Sequence, residues 1–131
     1  MDKNKVLAVV NRHFEFETPE LIERVIETFS DHVIWEAPAR NLCLTDHHEI
    51  VREYRRIIAG IANPTMEVLR VLVGKEEVFE DRIIDFTALE NNVWGIKPQQ
   101  RVKLRLAHYF KIHDDKIIHE IGYEMWGSKR I

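Results

Sequence analysis

Four long strand-type segments fill the second half of this 131-residue chain and constrain its fold more than any other feature. Each segment is rich in β-branched and aromatic residues and is bounded by turn residues, which is the pattern of strands joined by short connections. The predicted strands cover residues 65–73, 78–89, 101–113 and 116–126. A sheet built from consecutive strands of this length is expected to be antiparallel and curved.

The first half of the chain predicts three helices and one further strand. Apolar residues recur at helical spacing over residues 3–14, after the Thr18-Pro19 pair and after Asp46. Thr18 and Asp46 are residue types that cap helix N-termini. The strand covers residues 31–38 and ends at a proline. Helices segregated from a run of strands indicate an α+β fold.

Length and charge limit the possible functions. A chain of 131 residues predicts one domain, residues 1–131. Its net charge of −3 disfavours general nucleic-acid binding and an anionic membrane surface as partner. Cys43 is the only cysteine, and the N-terminal region lacks the apolar core of a signal peptide. We therefore expect a cytoplasmic protein that binds neither nucleic acid nor membrane.

The predicted helices are too few to cover both faces of the sheet. One face is expected to be concave and covered by the helices, leaving a pocket for a small apolar molecule. The other face is then exposed to solvent or paired with a second subunit. The prediction is a homodimer formed through the sheet face.

Three segments carry a resemblance to a known family: NKVLAVVNRHF, DHVIWEAP and HYFKIHDDKIIHEIGYEMW. In this order they resemble a SnoaL-like member of the nuclear-transport-factor-2-like superfamily. The resemblance implies a cystatin-like, cone-shaped α+β fold, with a curved antiparallel sheet and three helices in the N-terminal half. Members of that superfamily include polyketide cyclases, ketosteroid isomerase, limonene epoxide hydrolase and dehydratases, so the fold alone does not define an activity.

The resemblance to steroid isomerases assigns three positions. A tyrosine and two aspartates of those enzymes match His13, Ala37 and His108 here. The residue matching the catalytic base is Ala37, which cannot take a proton. Steroid-isomerase chemistry is therefore disfavoured by the resemblance.

The resemblance to cyclases and epoxide hydrolases assigns a further acid on the last strand. That position is Gly122 here, so the second expected acid is also missing. The cyclases also carry a histidine on the preceding strand, and His108 matches it. The chain thus keeps one polar group and lacks both familiar bases.

The strand pattern gives an independent view of His108. By strand alternation it shares one face with five apolar residues, which are Val102, Leu104, Leu106, Phe110 and Ile112. One interpretation is a core histidine with a satisfied hydrogen bond. The other is a pocket acid or base, since an unperturbed histidine titrates near neutral pH.

Two registers of the last hairpin decide which residues face His108. A two-residue turn at Asp114-Asp115 pairs His108 with Ile121, and it places the residues Ile117, His119, Ile121, Tyr123 and Met125 on the inner face. A three-residue turn pairs His108 with Gly122, and it places the residues Ile118, Glu120, Gly122, Glu124 and Trp126 there. The apolar pattern favours the first register and the resemblance the second, which is narrowly preferred. In that register Glu120 becomes the candidate base beside His108.

The candidate site follows from these assignments. His108 is the predicted acid/base, with His13 or Glu120 assisting, and the predicted pocket is lined by Trp35, Ala37, Tyr54, Phe110 and Gly122. No phosphate loop or zinc spacing occurs, so neither a cofactor nor a metal is expected. The candidate functions are a cofactor-free isomerase, cyclase or hydrolase, a non-catalytic binding module, and a dimeric interaction module with a vestigial pocket.

Two other groups of polar residues predict surface roles. Asp81, Arg82 and Asp85 predict exposed ion pairs on a strand. His47 and His48 are adjacent near a helix start and point apart, which disfavours metal binding.

Overall fold

The structure is a computed structural model that describes residues 2–125. Its helices are α1 (Lys3–Glu15), α2 (His47–Ala59) and two 3₁₀ helices, Ile22–Thr28 and Pro38–Arg40. Its strands are β1 (Phe29–Ala37), β2 (Leu42–Leu44), β3 (Ile61–Val73), β4 (Glu77–Ala88), β5 (Arg101–His113) and β6 (Lys116–Met125). The predicted α+β fold is confirmed. Trp126, which was predicted on the inner face of the last strand, lies outside the described residues.

Both α-helices begin at an aspartate that caps them. The Asp2 carboxylate accepts a hydrogen bond from the Lys5 amide at 3.0 Å. Asp46 accepts one from the Glu49 amide at 3.0 Å, so the predicted cap of α2 is confirmed. Each carboxylate satisfies one of the amide groups left without a partner in the first helical turn.

The second predicted helix is shorter and tighter than its apolar stripe suggested. It forms the seven-residue 3₁₀ helix Ile22–Thr28 rather than an α-helix that starts at Pro19. The Thr28 hydroxyl donates to the Val25 carbonyl at 2.7 Å, a local bond that competes with regular helix hydrogen bonds. The element still buries Ile22 and Val25 against the core, as the spacing predicted.

The six strands form one sheet in the order β2-β1-β6-β5-β4-β3. The prediction of an antiparallel sheet is wrong at one junction, because β1 and β6 are parallel. The strands β3, β4, β5 and β6 alternate in direction, because each consecutive pair is antiparallel. Strand β6 therefore runs opposite to β3, and this direction is parallel to β1. The short strand β2 and the helix Pro38–Arg40 were not predicted.

The last hairpin adopts the register that pairs His108 with Gly122, so the narrowly preferred register is confirmed. This register does not arise from the three-residue turn that was expected to produce it. The turn has two residues, Asp114 and Asp115, both with positive φ (49° and 61°), as in a type I′ turn. The register then shifts between Lys111 and Ile112, which leaves one extra residue on β6 as a bulge.

Because of the bulge, one residue of β6 faces the opposite side from the one that the preferred register predicted. Ile117 precedes the bulge and is fully buried in the core, whereas the preferred register had placed it on the outer face. Ile118 is the extra residue. Beyond it, Glu120 and Gly122 lie on the inner face, as that register predicted.

The helices cover only part of the inner face. The main core lies between α1, the helix Ile22–Thr28, α2 and the sheet, and a smaller core lies around Phe86, Ala88 and Leu104 under the loop that carries Trp94. Met66 and Val68 on the same face of β3 stay 55% and 52% exposed. The helices therefore leave the β3 end of the inner face uncovered. None of the described helices has the length and apolar character needed to cross a membrane.

Gly60 gives a stability test of the packing at the end of α2. A Cβ atom there would lie 2.7 Å from both Cα and Cβ of Asn92, so Gly60→Ala forces the loop to move. We expect a loss of about 1–3 kcal/mol in the free energy of unfolding, measured by urea denaturation. Gly74→Ala, whose Cβ would meet no atom closer than 3.6 Å, is the control and should stay near wild type. Equal stability of the two variants would contradict the packing described.

Candidate active site

His13 occupies the centre of a buried polar cluster. Its side chain is 0% exposed on α1, and its Nδ1 lies 3.2 Å from Thr28 Oγ1. Because the Thr28 hydroxyl already donates to Val25, Thr28 accepts from the Nδ1–H group. The other ring nitrogen, Nε2, lies 3.0 Å from Glu17 Oε2 and 3.3 Å from Glu120 Oε1.

Tyr54 connects His13 to the sheet. Its hydroxyl donates to the two carboxylate oxygens of Glu120 at 2.9 and 2.8 Å. The same oxygen lies 3.2 Å from His13 Nε2 and accepts from Trp35 Nε1 at 3.1 Å. These four residues, His13, Tyr54, Glu120 and Trp35, form what we call the His13 cluster. It joins α1, α2, β1 and β6.

The His13 cluster holds an ion pair. Burial by itself lowers the pKa of His13, but the Glu120 carboxylate, with a smaller effect from Glu17, raises that pKa to about 10. Burial by itself raises the pKa of Glu120, but the His13 imidazolium outweighs it and lowers that pKa below its usual range. Burial, together with the Glu120 charge, raises the pKa of Tyr54. At neutral pH the cluster is an imidazolium–carboxylate pair with a neutral phenol.

His108 lies in a second buried group. Its Nδ1 is 2.9 Å from Glu80 Oε1, and Arg82 donates through Nε to the other oxygen of Glu80. The Arg82 guanidinium lies 4.1 Å from the centre of the Phe14 ring. The residues His108, Glu80 and Arg82 form the His108 group. Among residues 2–125, His108 Nε2 has no hydrogen-bond partner.

Phe110 separates the two groups. Its ring centre lies 5.4 Å from that of His13 and 5.7 Å from that of His108, on which it stacks at an interplanar angle of 21°. The histidines therefore do not bond to each other. Of the predicted catalytic residues, the structure joins His13 to Glu120 and leaves His108 with a different carboxylate.

The predicted pocket residues share the inner side of the sheet but differ in exposure. Trp35, Ala37, Tyr54 and Phe110 are all buried, whereas Gly122 is partly exposed. A surface depression of about 290 Å³ lies elsewhere, at the β3–β4 hairpin. It is lined by Leu72, Val73, Gly74, Glu77, Val78, Phe79 and Tyr109, which include none of the predicted site residues.

Sequence reasoning missed Glu80 and assigned Arg82 wrongly. Asp81 and Asp85 pair with Arg105 and Arg101, so the predicted ion pairs form, but Asp81 is only 6% exposed and its pair is not an exposed one. Arg82 is 8% exposed instead, because strand alternation turns it inward beside Glu80. The inward orientation of Arg82 could have been predicted from strand alternation in the sequence. The pairing of Glu80 with His108 required the register between β4 and β5.

A third ionic group lies between the helix Pro38–Arg40, β6 and α2. Arg40 donates to Glu124 through Nε at 2.9 Å and through a terminal nitrogen at 3.1 Å, and it also donates to Glu53. Arg56 donates to the second oxygen of Glu53 at 2.6 Å. These contacts fix the helix Pro38–Arg40 against β6 and α2.

No side-chain group suited to a metal ion is found among residues 2–125. His47 Nε2 instead lies 2.8 Å from the Ser30 carbonyl oxygen.

Comparison with known proteins defines the class of fold. Neither the family models nor the curated proteins include a match to this chain. A protein from Jannaschia sp. CCS1 assigned as a SnoaL-like polyketide cyclase superposes with a TM-score of 0.80 at 14% identity, covering 93% of this chain and 86% of the other. An LEH-like epoxide hydrolase from M. tuberculosis gives 0.70 at 14% identity, covering 94% and 84%.

A third structure has no assigned activity. It is an NTF2-like protein of unknown function from Burkholderia pseudomallei K96243, with a TM-score of 0.76 and 13% identity over 95% of this chain and 92% of the other. The three similarities show the fold. The chain has the α+β fold of the SnoaL-like and nuclear-transport-factor-2-like proteins, and the resemblance seen in the sequence is confirmed at that level.

The raised pKa of His13 predicts a pH dependence of stability. A group whose pKa rises from 6.5 unfolded to about 10 folded stabilises the protein fully below pH 6.5 and loses that contribution as the pH rises towards 10. We expect the free energy of unfolding to fall by up to about 1.4 kcal/mol per pH unit across this range, measured by urea denaturation.

The control for this prediction is Glu120→Gln, which removes the main group that raises the pKa of His13 and should flatten the dependence. A second measurement needs no variant. Nitrogen NMR should show both ring nitrogens of His13 protonated at pH 8. A neutral His13 ring at that pH would contradict the ion pair.

Proposed function

We propose that this protein is a cofactor-free acid/base enzyme, an isomerase, cyclase or hydrolase that acts on a small apolar substrate. The supporting observation is the hydrogen bond between His108 Nδ1 and Glu80 at 2.9 Å, with Nε2 left without a partner. A carboxylate that accepts the Nδ1–H group selects the tautomer whose Nε2 carries the lone pair. It also stabilises the imidazolium formed when Nε2 takes a proton.

In this proposal the two buried groups have different tasks. His108 is the base, Glu80 orients it, and Arg82 balances the Glu80 charge. His13 is a proton donor or a fixed positive charge, and Glu120 is its counter-ion. The lowered pKa of Glu120 makes its carboxylate a weak base, so proton abstraction is assigned to His108 rather than to Glu120.

The proposed substrate binds on the inner side of the sheet beside His108. We place it against the predicted pocket residues Trp35, Ala37, Tyr54, Phe110 and Gly122. Since only Gly122 among them is partly exposed, ligand entry is proposed on that side. The proteins of similar fold include one assigned as a cyclase and one named an epoxide hydrolase, which supports these reaction types. A cytoplasmic location is also proposed, in keeping with the single exposed cysteine, Cys43.

A substrate screen with a matched pair of variants tests the catalytic proposal. The probes are styrene oxide for hydrolysis, a β,γ-unsaturated ketone for isomerisation and a β-ketoester for cyclisation. We expect turnover of at least one probe, and a loss of about 10²–10⁴-fold in kcat/KM for His108→Gln. His32→Gln, a change at an exposed histidine, is the control and should keep wild-type activity. Equal rates for His108→Gln and wild type would rule out His108 as the base.

The alternative is a non-catalytic binding or dimeric interaction module with a vestigial pocket. It is favoured by the close packing of Trp35, Ala37 and Phe110, which are 4%, 2% and 0% exposed. In that case the probes bind without turnover or do not bind.

A homodimer through the outer face of the sheet is the proposed assembly. Four large apolar side chains lie on that face and stay 37–43% exposed: Ile34, Phe79, Tyr123 and Met125. Several charged residues of this face pair within the chain, as in the Asp81–Arg105 and Glu36–His119 pairs. An apolar face on which such charges are paired suits a second copy of the same chain.

Light scattering tests this assembly. We expect a particle of twice the 15.6 kDa chain mass at micromolar concentration. Tyr123→Asp should shift the protein to monomer, because it places a charge in the apolar face. Met66→Asp is the control, since Met66 is also exposed, at 55% against 40% for Tyr123, but lies on the inner side. A monomeric wild type would refute the dimer.

A further inference from the structure

Arg82 keeps hydrogen-bond donors that the described part of the chain does not use fully. A guanidinium carries five N–H donors, and the Nε of Arg82 donates to Glu80. The terminal nitrogen Nη1 lies against the sulfur of Met66, which is a weak acceptor. The other terminal nitrogen, Nη2, has no acceptor among residues 2–125. Since buried polar groups are as a rule satisfied, these two nitrogens need an explanation.

The terminal nitrogens of Arg82 are reached from the uncovered β3 end of the inner face. The side chain is 10% exposed, and Nη2 is not one of the buried side-chain atoms that lack a partner, so solvent reaches this atom. Strand pairing places Val68 directly opposite Arg82, and Met66 opposite Ile84. Val68 and Met66 are 52% and 55% exposed. A ligand can therefore approach the guanidinium over these two side chains.

The surroundings of Arg82 are mainly apolar. Leu106 on β5 and Val68 on β3 flank it across the sheet, and Ile84 is the next residue of β4 on the same face. Leu106 and Ile84 are half-buried, so each keeps some exposed surface. On the helix side, the ring centre of Phe14 lies 4.1 Å from the guanidinium carbon. A cation with free donors beside an accessible apolar surface suits a ligand that has one anionic end and one apolar end.

We propose that Arg82 binds the carboxylate of a small apolar monocarboxylic acid, whose hydrocarbon part lies against Val68, Ile84 and Leu106. The two terminal nitrogens of a guanidinium match the two oxygens of a carboxylate. Met66 is flexible and more than half exposed, so its thioether moves aside and releases Nη1 to the carboxylate. The inference goes beyond the proposed function, because binding at Arg82 does not require catalysis by His108.

The choice of an anion follows from the charges around Arg82. Glu80 is the only carboxylate among residues 2–125 that contacts Arg82, and its other oxygen is bound to His108. The Glu124 carboxylate on β6 is already bound to Arg40. An arginine stays protonated at every pH at which proteins are folded, so this argument does not depend on the protonation of His108. A single guanidinium favours a monoanion over a neutral ligand or an amine.

Titration of the intact protein with hexanoate and hexanamide tests the inference. The two probes have the same hydrocarbon chain and differ in the charge of the polar end. The readouts are the Kd from calorimetry and the NMR shift of the Nε–H group of Arg82. We expect hexanoate to bind and to move this resonance. Hexanamide should bind about tenfold more weakly or worse, because it lacks the charge that strengthens the hydrogen bonds.

A matched pair of variants at Val68 localises the binding without disturbing Arg82. Val68→Glu and Val68→Gln add side chains of nearly equal size at an exposed position opposite Arg82. The new carboxylate of Val68→Glu competes with the ligand for Arg82, so the Kd of hexanoate should rise by about tenfold or more. Val68→Gln should bind hexanoate much as the wild type does. Thr65→Glu adds the same charge to the outer face of β3 and is the control for net charge.

Three results would overturn the inference: no binding of hexanoate, equal affinity for hexanoate and hexanamide, or equal hexanoate affinity in Val68→Glu and Val68→Gln. None of them bears on catalysis. Turnover that is lost in His108→Gln would support the proposed function whether or not hexanoate binds. Hexanoate binding that is lost in Val68→Glu, without turnover of any probe, would support the Arg82 site alone.

Discussion

The buried ion pair between His13 and Glu120 is the interaction on which the arrangement of this interior depends. Removing two charges from water costs several kcal/mol each, and their attraction offsets this only when hydrogen bonds satisfy the remaining polar atoms. Here Thr28 accepts from one ring nitrogen, and Tyr54 donates to both oxygens of Glu120. Each partner comes from a different element. The pair can therefore be satisfied only when α1, α2 and β6 are in their native places.

The charges of the His108 group are arranged differently from those of the His13 cluster. Its carboxylate is shared between a histidine and an arginine, so Glu80 orients one ring nitrogen of His108 while the charge of the group stays balanced. In the His13 cluster, Tyr54 donates to Glu120, and His13 Nε2 lies 3.3 Å from the same carboxylate. His13 is thus a buried cation paired with Glu120, whereas His108 contacts its carboxylate through Nδ1. The two histidines lie on either side of Phe110, and their carboxylate partners approach different ring nitrogens.

The departures from the family pattern fit this arrangement. The resemblance mapped catalytic acids onto Ala37 and Gly122, and these two positions lie next to each other beside His108. With no acid there, the carboxylate that supports His108 comes instead from β4, on the opposite side of β5. The same type of fold thus holds a histidine–carboxylate pair at His108 and no acid at positions 37 and 122.

The sequence by itself determined the elements and the class of fold. Helical spacing, aspartate caps and strand alternation are local properties, so they identified α1, α2 and the four long strands, and they placed His108 on the inner face of β5. Only the tertiary structure decided which polar groups meet. A bulge at Ile118 set the register of β6, which no local pattern specified, and the pairing of β4 with β5 brought Glu80 to His108. Contacts between strands depend on register, and a shift of one residue exchanges the two faces, so the carboxylate partners of His13 and His108 could be found only in the folded chain.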